Sequence, residues 1–311
     1  MSCLLFVMAG CSGHSKNLKF GAADIGGVYY SFASTFTQLA DKEIDGYTFE
    51  TKTTAGSVAN LRLISDGYID LAIVQADLLS DAYNATGTFA DKKYQKGYKA
   101  VASLYTECCQ IVVRKDSGIT GIDDLINKTV SVGASESGSE KNAEQILKMS
   151  GITDELINKV NMDYTEAAEK LKAGEIDAFF CTAGTRTEVI GQLSKECDIC
   201  LISLDDKCID KMLSAYSLCE KYTIPAGTYN GQDSDVTTIG VKAVLIAKQS
   251  LSDDVIKNVT KTIYEHADDF KYATSLDISF DINTAADGVD IPFHSGAAAY
   301  YTERGINVLT E

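Results

Sequence analysis

The feature that most constrains the fold is a repeated order of short apolar runs and helix-like segments joined by glycine turns. Residues 47–54 alternate as a strand does, and residues 58–65 place apolar side chains on one helical face. Gly56 supplies a turn before this helix, Gly67 is of the type that ends helices, and residues 69–74 form an apolar run suited to a covered strand. This order predicts a βαβ unit and an α/β fold with parallel strands.

A second unit of the same kind lies further along the chain. The helix-like segment 165–173 is followed by Gly174 and by the apolar run 178–180. The length of 311 residues is enough for two domains, so two related units indicate two similar lobes. Another helix is predicted over residues 252–272.

Two extended segments delimit the central part of the chain. Residues 110–114 lead into a turn-rich stretch, and residues 237–247 are predicted to form a long strand. Such segments, entering and leaving an inserted lobe, are typical of a two-strand hinge. We therefore predict one lobe from residues 18–110 and 238–311, and a second lobe from residues 111–237.

The first residues indicate export. Residues 4–8 form an apolar run that ends in small residues before Cys11. The tetrad Met8-Ala9-Gly10-Cys11 resembles the lipobox of bacterial lipoproteins, in which the cysteine becomes the lipidated N-terminus. A frayed N-terminus with an incidental cysteine is the alternative. We predict residues 1–17 to be a lipoprotein signal and tether, and the protein to be exported and anchored to the cell membrane through Cys11.

Charge and composition narrow the possible functions. A net charge of −16 repels nucleic acid, and the three histidines and the lack of a G-x-S-x-G turn leave little material for catalysis. Cys197 and Cys200 form a C-x-x-C pair, but their spacing to Cys208 and Cys219 fits no common zinc ribbon. We therefore predict a protein that is not an enzyme, binds no nucleic acid and needs neither a metal nor a cofactor. Its cysteines are expected to be buried or linked in disulfides.

Three glycine-containing loops, at residues 24–30, 54–57 and 133–139, precede predicted helices. Glycine lets a ligand approach the backbone, Ser57 is expected to be an N-cap, and helix N-termini attract anions. Ligands of open parallel sheets bind beyond the carboxyl ends of the strands, so the loops are predicted to converge on one cleft for a small organic anion. Ordinary turn and capping chemistry is the alternative for any single loop. The third loop lacks the lysine of a phosphate-binding loop and contains Glu136, which argues against a nucleotide.

The chain resembles TAXI-type binding proteins, the extracytoplasmic solute receptors of one branch of the TRAP transporters. The resemblance covers residues 18–305 and rests on segments in the same order along the chain. These segments are residues 26–30, 54–61, 70–77, 132–139, 174–180, 224–229 and 291–297.

The resemblance implies a type II periplasmic-binding-protein fold, in which two Rossmann-like lobes joined by a two-strand hinge close over a ligand. It implies a small carboxylate as ligand, either a glutamate-like amino acid or a dicarboxylate, and a TRAP membrane permease as partner of a monomeric receptor. The candidate ligand-binding residues are Gly26, Gly27, Tyr29, Tyr30, Ser57, Asn60, Gln75, Asp77, Ser135, Ser137, Gly138, Ser139, Thr182 and Arg186.

Two questions stay open at this point. Arg186 would pair with a second carboxylate of the ligand if it faces the cleft, and would be solvated if it points outward. The functional alternative is a binding-protein-like sensor or a surface interaction lipoprotein that uses the same fold.

Overall fold

The computed structural model describes residues 15–91, 94, 97–275 and 280–311, which form a mixed α/β structure. Its strands are β1 (Lys16–Gly21), β2 (Tyr47–Lys52), β3 (Leu71–Gln75), β4 (Tyr98–Arg114), β5 (Thr129–Ser131), β6 (Asn158–Val160), β7 (Ala178–Ala183), β8 (Ile199–Leu201), β9 (Cys219–Ile224) and β10 (Val236–Lys248). Its α-helices are α1 (Val28–Glu43), α2 (Ser57–Ser65), α3 (Ala76–Asn84), α4 (Gly138–Met149), α5 (Tyr164–Ala173), α6 (Glu188–Glu196), α7 (Asp206–Ala215), α8 (Asp253–Glu265), α9 (Ala267–Thr274) and α10 (Ser295–Thr302).

The described strands form a mixed sheet in the order β2-β1-β3-β10-β4-β7-β5-β6, with β8 paired to β4 and β9 paired to β10. β1 is parallel to β2 and β3, and β5 is parallel to β6 and β7. Parallel neighbours need long crossover connections, which here contain helices. This requirement explains the order of apolar runs and helix-like segments in the sequence.

The long strands β4 and β10 join two halves of this sheet. β4 pairs with β10 up to Cys108 and with β7 from Cys108 onward, while the first half of β10 pairs with β9. We call the half with β1, β2 and β3 lobe 1, and the half with β5, β6 and β7 lobe 2. The predicted boundaries at 110/111 and 237/238 fall within these two strands.

The helix faces that cover the sheet follow from the sequence pattern. Val28, Phe32 and Phe36 recur every four residues along α1, so they lie on one face and are buried against lobe 1. In lobe 2, Ile146 of α4 and Phe180 of β7 are fully buried in a second apolar cluster. None of the described helices is long and apolar enough to span a membrane.

The prediction of one helix over residues 252–272 was wrong, because α8 ends at Glu265 and α9 starts at Ala267. His266 between them has φ −115° and ψ 28°, and its Nδ1 lies 2.9 Å from Oδ2 of Asp269 in α9. The change of direction lets Phe270 stack on Phe32, with ring centroids 4.4 Å apart.

The N-terminal prediction is only partly covered by the structure. Cys11, the predicted lipidation site, lies outside the described residues. Lys16 and Asn17, predicted to belong to the tether, are the first residues of β1 and pair with Tyr47 and Thr48 of β2. The sheet therefore begins two residues before the predicted start of lobe 1.

Candidate functional site

A cavity of about 270 Å³ lies between the two lobes. It is lined by residues at or beyond the ends of β1, β2, β3, β5, β6 and β7, as expected for a ligand site on parallel strands. The lining residues are Ala23, Asp24, Gly27, Val28, Tyr29, Thr53, Thr54, Ala55, Gly56, Ser57, Gln75, Glu107, Ala134, Ser137, Gly138, Ser139, Asp163, Tyr164, Thr182 and Ala183.

Helices α1, α2, α4 and α5 all begin at this cavity. The first N–H groups of a helix have no acceptor within the helix, and the described structure gives none to the N–H groups of Ser57, Gly138 and Ser139. The positive ends of the helix dipoles reinforce these donors. One wall of the cavity therefore presents unpaired N–H groups from both lobes.

Gly56 allows the lobes to approach each other closely. Its φ of 123° and ψ of −149° belong to a region that is essentially restricted to glycine. A Cβ at this position would also lie 3.3 Å from Cα of Ser137 in the other lobe. Gly56 is the N-cap of α2, so the prediction that Ser57 caps this helix was wrong. The Ser57 hydroxyl instead accepts a hydrogen bond from the N–H of Gln75.

Hydroxyl groups order the wall that belongs to lobe 2. Ser139 Oγ lies 2.6 Å from the Tyr164 hydroxyl oxygen and accepts a 2.8 Å hydrogen bond from the N–H of Thr182. The Tyr164 hydroxyl donates to the carbonyl of Thr182. These bonds fix α4 and α5 against the end of β7, so this wall is held in place before any ligand arrives.

Gln75 bridges the lobes from the end of β3. Its Nε2 donates to Oδ1 of Asn142 in α4 at 3.0 Å, whereas its Oε1 is buried without a partner. A Cβ on Gly138 would fall onto the Gln75 amide. A larger residue at position 138 would therefore displace the Gln75 amide from this contact.

Three carboxylates, Asp24, Glu107 and Asp163, line the cavity, and no lysine or arginine does so among the residues described. Glu107 is buried in β4 and accepts a 2.7 Å hydrogen bond from the Tyr29 hydroxyl. Burial raises the pKa of Glu107 to about 8, against the opposing effects of Tyr29 and Gln75. Burial, and then the charge of Asp163, raise the pKa of Asp24. The cavity thus has an acidic wall in addition to its N–H groups.

A second set of contacts joins the lobes beside the cavity. The Arg62 guanidinium in α2 binds Glu136 of lobe 2 through both carboxylate oxygens, at 3.1 and 2.6 Å. The carbonyl of Glu136 accepts from the N–H of Ala59 at 3.1 Å. Glu136 has a left-handed φ of 66°, and this conformation directs both groups towards α2. These bonds span the two lobes, as a closed form of the protein requires.

The structure separates the predicted site residues into two groups. Those that line the cavity are Gly27, Tyr29, Ser57, Gln75, Ser137, Gly138, Ser139 and Thr182. Those that lie outside its lining are Gly26, Tyr30, Asn60, Asp77, Ser135 and Arg186.

Three of the residues outside the lining, Asn60, Asp77 and Arg186, have well-defined positions in the structure. Asn60 is fully buried, and its Nδ2 donates to the carbonyls of Ala22 and Ile73 at 2.6 and 2.9 Å. Asp77 is buried at the start of α3, and burial raises its pKa to about 6. Arg186 is exposed, with a left-handed φ of 64°, in a separate depression.

Six polar lining residues were not among the predicted candidates: Asp24, Thr53, Thr54, Glu107, Asp163 and Tyr164. One signal was present for Glu107, which is the lone carboxylate in the mostly apolar sequence of β4. Asp163 has the sequence position of an N-cap, and its side chain does accept from the N–H of Glu166. No sequence signal distinguishes Tyr164 from the other tyrosines of the chain.

The seven described cysteines are free thiols. Cys108, Cys109, Cys181, Cys208 and Cys219 are buried, as one of the two sequence alternatives expected, and burial raises the pKa of each of them. Buried thiols with raised pKa values are poor nucleophiles.

Solved structures with this fold include periplasmic binding proteins. The periplasmic binding protein BugD is 11% identical with a TM-score of 0.57, over 83% of this chain and 85% of that chain. A putative L-cystine ABC transporter from Listeria monocytogenes is 14% identical with a TM-score of 0.53, over 84% and 94%. An ancestral arginine-binding protein bound to arginine is 15% identical with a TM-score of 0.51, over 84% and 98%.

These likenesses confirm the predicted fold class, a two-lobed α/β structure of the type II periplasmic-binding-protein kind. The model of the NMT1-like family matches residues 20–305, which include both lobes and the cavity between them. This chain therefore belongs to the NMT1-like family.

Proposed function

We propose that this chain is the extracytoplasmic solute-binding subunit of a TRAP-type transporter and that it captures a small carboxylate between its lobes. The observation that carries the proposal is the cavity of about 270 Å³ with unpaired N–H groups from α2 and α4 on its wall. Two lobes on long shared strands, joined across this cavity by hydrogen bonds, suit capture and release better than they suit catalysis.

A carboxylate fits the unpaired N–H groups. Ser57, Gly138 and Ser139 supply backbone donors at two helix starts, where the dipoles favour a negative group. A carboxylate can accept several such bonds at its two oxygens, so it needs no arginine. Solved proteins with this fold are named for L-cystine and for arginine, both of which carry carboxylates.

The proposal also includes a membrane partner and an extracytoplasmic location. Solved proteins with this fold are named as periplasmic or as parts of a transporter, and the loop segments resemble those of TAXI receptors. We propose a TRAP membrane permease as the partner and anchoring through Cys11, which precedes the described residues.

A thermal-shift screen of organic acids and amino acids tests capture. A ligand present at about 100 times its Kd stabilises the folded state by roughly 2.7 kcal/mol, because it binds the folded protein alone. We expect at least one small carboxylate to raise Tm by several degrees. Unchanged Tm with every compound, each present at millimolar concentration, would refute the proposed function.

Gly138→Ala tests whether closure accompanies binding. Its methyl group falls onto the Gln75 amide only when the lobes meet, and overpacking of this kind costs roughly 1–3 kcal/mol. We expect Kd for the ligand found in the screen to rise about 5- to 150-fold in calorimetric titration. Gly191→Ala in α6, where an added Cβ meets nothing within 4 Å, is the matched control. Unaltered affinity of Gly138→Ala would show that the lobes need not meet around the ligand.

A further inference from the structure

The charged groups that line the cavity are all acidic. Asp24, Glu107 and Asp163 line it, and no cationic side chain among the described residues does. A ligand that carried only carboxylates would be held by the N–H groups but would meet acidic side chains and no cation elsewhere in the lining. A second carboxylate therefore has no cationic partner among the described residues of this cavity.

Unpartnered acceptors lie on the same lining. Oε1 of Gln75, a residue only 1% exposed, and Oδ2 of Asp24 are buried without hydrogen-bond partners. Gln75 Oε1 cannot donate a hydrogen bond, and neither can Asp24 Oδ2 when that carboxyl is ionised, so both atoms suit a donor on a ligand. Leaving such a group unpaired destabilises the protein, and a ligand with N–H groups would recover this loss.

Two of these side chains have contacts with helix α5, and the buried Glu107 does not. Asp163 caps α5 through Oδ1, and Asp24 accepts the N–H of Ile25 through Oδ1 and lies close to the N–H groups of Tyr164 and Thr165. Glu107 accepts a hydrogen bond from Tyr29 and lies beside the Gln75 amide, and it is 2% exposed in the middle of a sheet. A buried carboxylate is rarely kept unless it has a cationic partner, and the described residues supply none at this wall.

From this arrangement we infer that Glu107 and Gln75, with Asp24 and Asp163 nearby, form a subsite for an ammonium group, and that the captured carboxylate is an amino acid with a neutral or basic side chain. The inference rests on the proposed function and narrows its ligand. The ligand's carboxylate meets the N–H groups of α2 and α4, and its ammonium group donates to Glu107 and to the free oxygen of Gln75. Dicarboxylates and acidic amino acids lack a partner for their second negative group.

Matched pairs of ligands test this subsite on the unmodified protein. The panel comprises neutral and basic L-amino acids, each with the 2-hydroxy acid that differs only at the ammonium group, and L-glutamine against L-glutamate. Succinate and glutarate represent dicarboxylates. A hydrogen bond to a charged group contributes roughly 1.5–3 kcal/mol, so we expect the amino acid to bind about 10- to 150-fold more tightly than its 2-hydroxy acid.

Glu107→Gln provides a second measurement. It should weaken binding of the amino acid about 10-fold or more and so reduce the preference for the amino acid over its 2-hydroxy acid, because a neutral amide no longer pairs with the ammonium group. Asp210→Asn, which removes an exposed carboxylate in α7, is the control for the change in net charge. In the wild-type protein, calorimetry in two buffers should show proton release on binding, because an ammonium group beside Glu107 favours its ionised form.

The outcomes separate the two proposals. Equal or tighter binding of 2-hydroxy acids or dicarboxylates would overturn the ammonium subsite and leave the proposed function intact. Binding of no compound in the panel would overturn both. Selective binding of an amino acid, with its preference lost in Glu107→Gln, would support the subsite.

Discussion

Replacing Asn60 by alanine is expected to lower the free energy of unfolding by about 2–4 kcal/mol, although this residue lies outside the cavity lining. The Asn60 amide donates to the carbonyls of Ala22 and Ile73, and its Oδ1 accepts from the Thr54 hydroxyl at 2.7 Å. It therefore ties the chain just beyond β1 and β2 to the middle of β3. Alanine would leave buried acceptors without a donor and create a small cavity. Urea unfolding followed by circular dichroism measures the change.

Asn84→Ala is the matched control for this substitution. The Asn84 side chain is exposed at the end of α3 and donates to Ser80 one turn earlier, so its loss should change the free energy of unfolding by less than about 0.5 kcal/mol. If Asn60→Ala were as stable as Asn84→Ala, the buried amide would not be holding these three segments together. A purely ligand-binding role for Asn60 would then become the better explanation.

Local periodicity was enough to predict the two α/β units and the strands that join them. Residues 110–114 and 237–247 were predicted as strands, and both lie within the long strands β4 and β10. The pairing of the strands was harder to predict from the sequence. β10 lies between β3 and β4, and these contacts join residues that are far apart in the sequence. The break at His266 was missed because α8 and α9 share one continuous helical pattern in the sequence.

The cavity was predictable where it depends on local chemistry. Glycine and serine before a helix indicate free N–H groups, and the structure places the loops that contain Gly27, Ser57 and Ser137 on one cavity. The acidic wall depends on distant pairs such as Tyr29 with Glu107, which are 78 positions apart. Asn60 was predicted to bind the ligand, and in the structure its amide binds the backbone. The sequence does not distinguish these two roles for a polar residue in a motif.

The pH dependence of stability offers the largest expected effect of a single side chain. Folding raises the pKa of Glu107 from 4.5 to about 8, mainly because burial disfavours the charged form. The unfolded chain then loses this proton near its ordinary pKa, while the folded protein keeps it until about pH 8. The contribution to stability is complete below the ordinary pKa and declines as pH rises towards the folded pKa.

We therefore expect wild-type protein without ligand to lose on the order of 4 kcal/mol between about pH 4 and pH 8 from this group, because a tenfold change in proton affinity corresponds to roughly 1.4 kcal/mol. Glu107→Gln should remove that part of the decline, since its amide does not titrate, and urea midpoints across the range measure the difference. Asp77, whose pKa burial raises to about 6, contributes a decline of the same sign at lower pH, and Asp77→Asn isolates it. Parallel pH profiles of wild type and Glu107→Gln would mean that Glu107 is ionised in the empty cavity at neutral pH, and proton release on ligand binding should then also be absent.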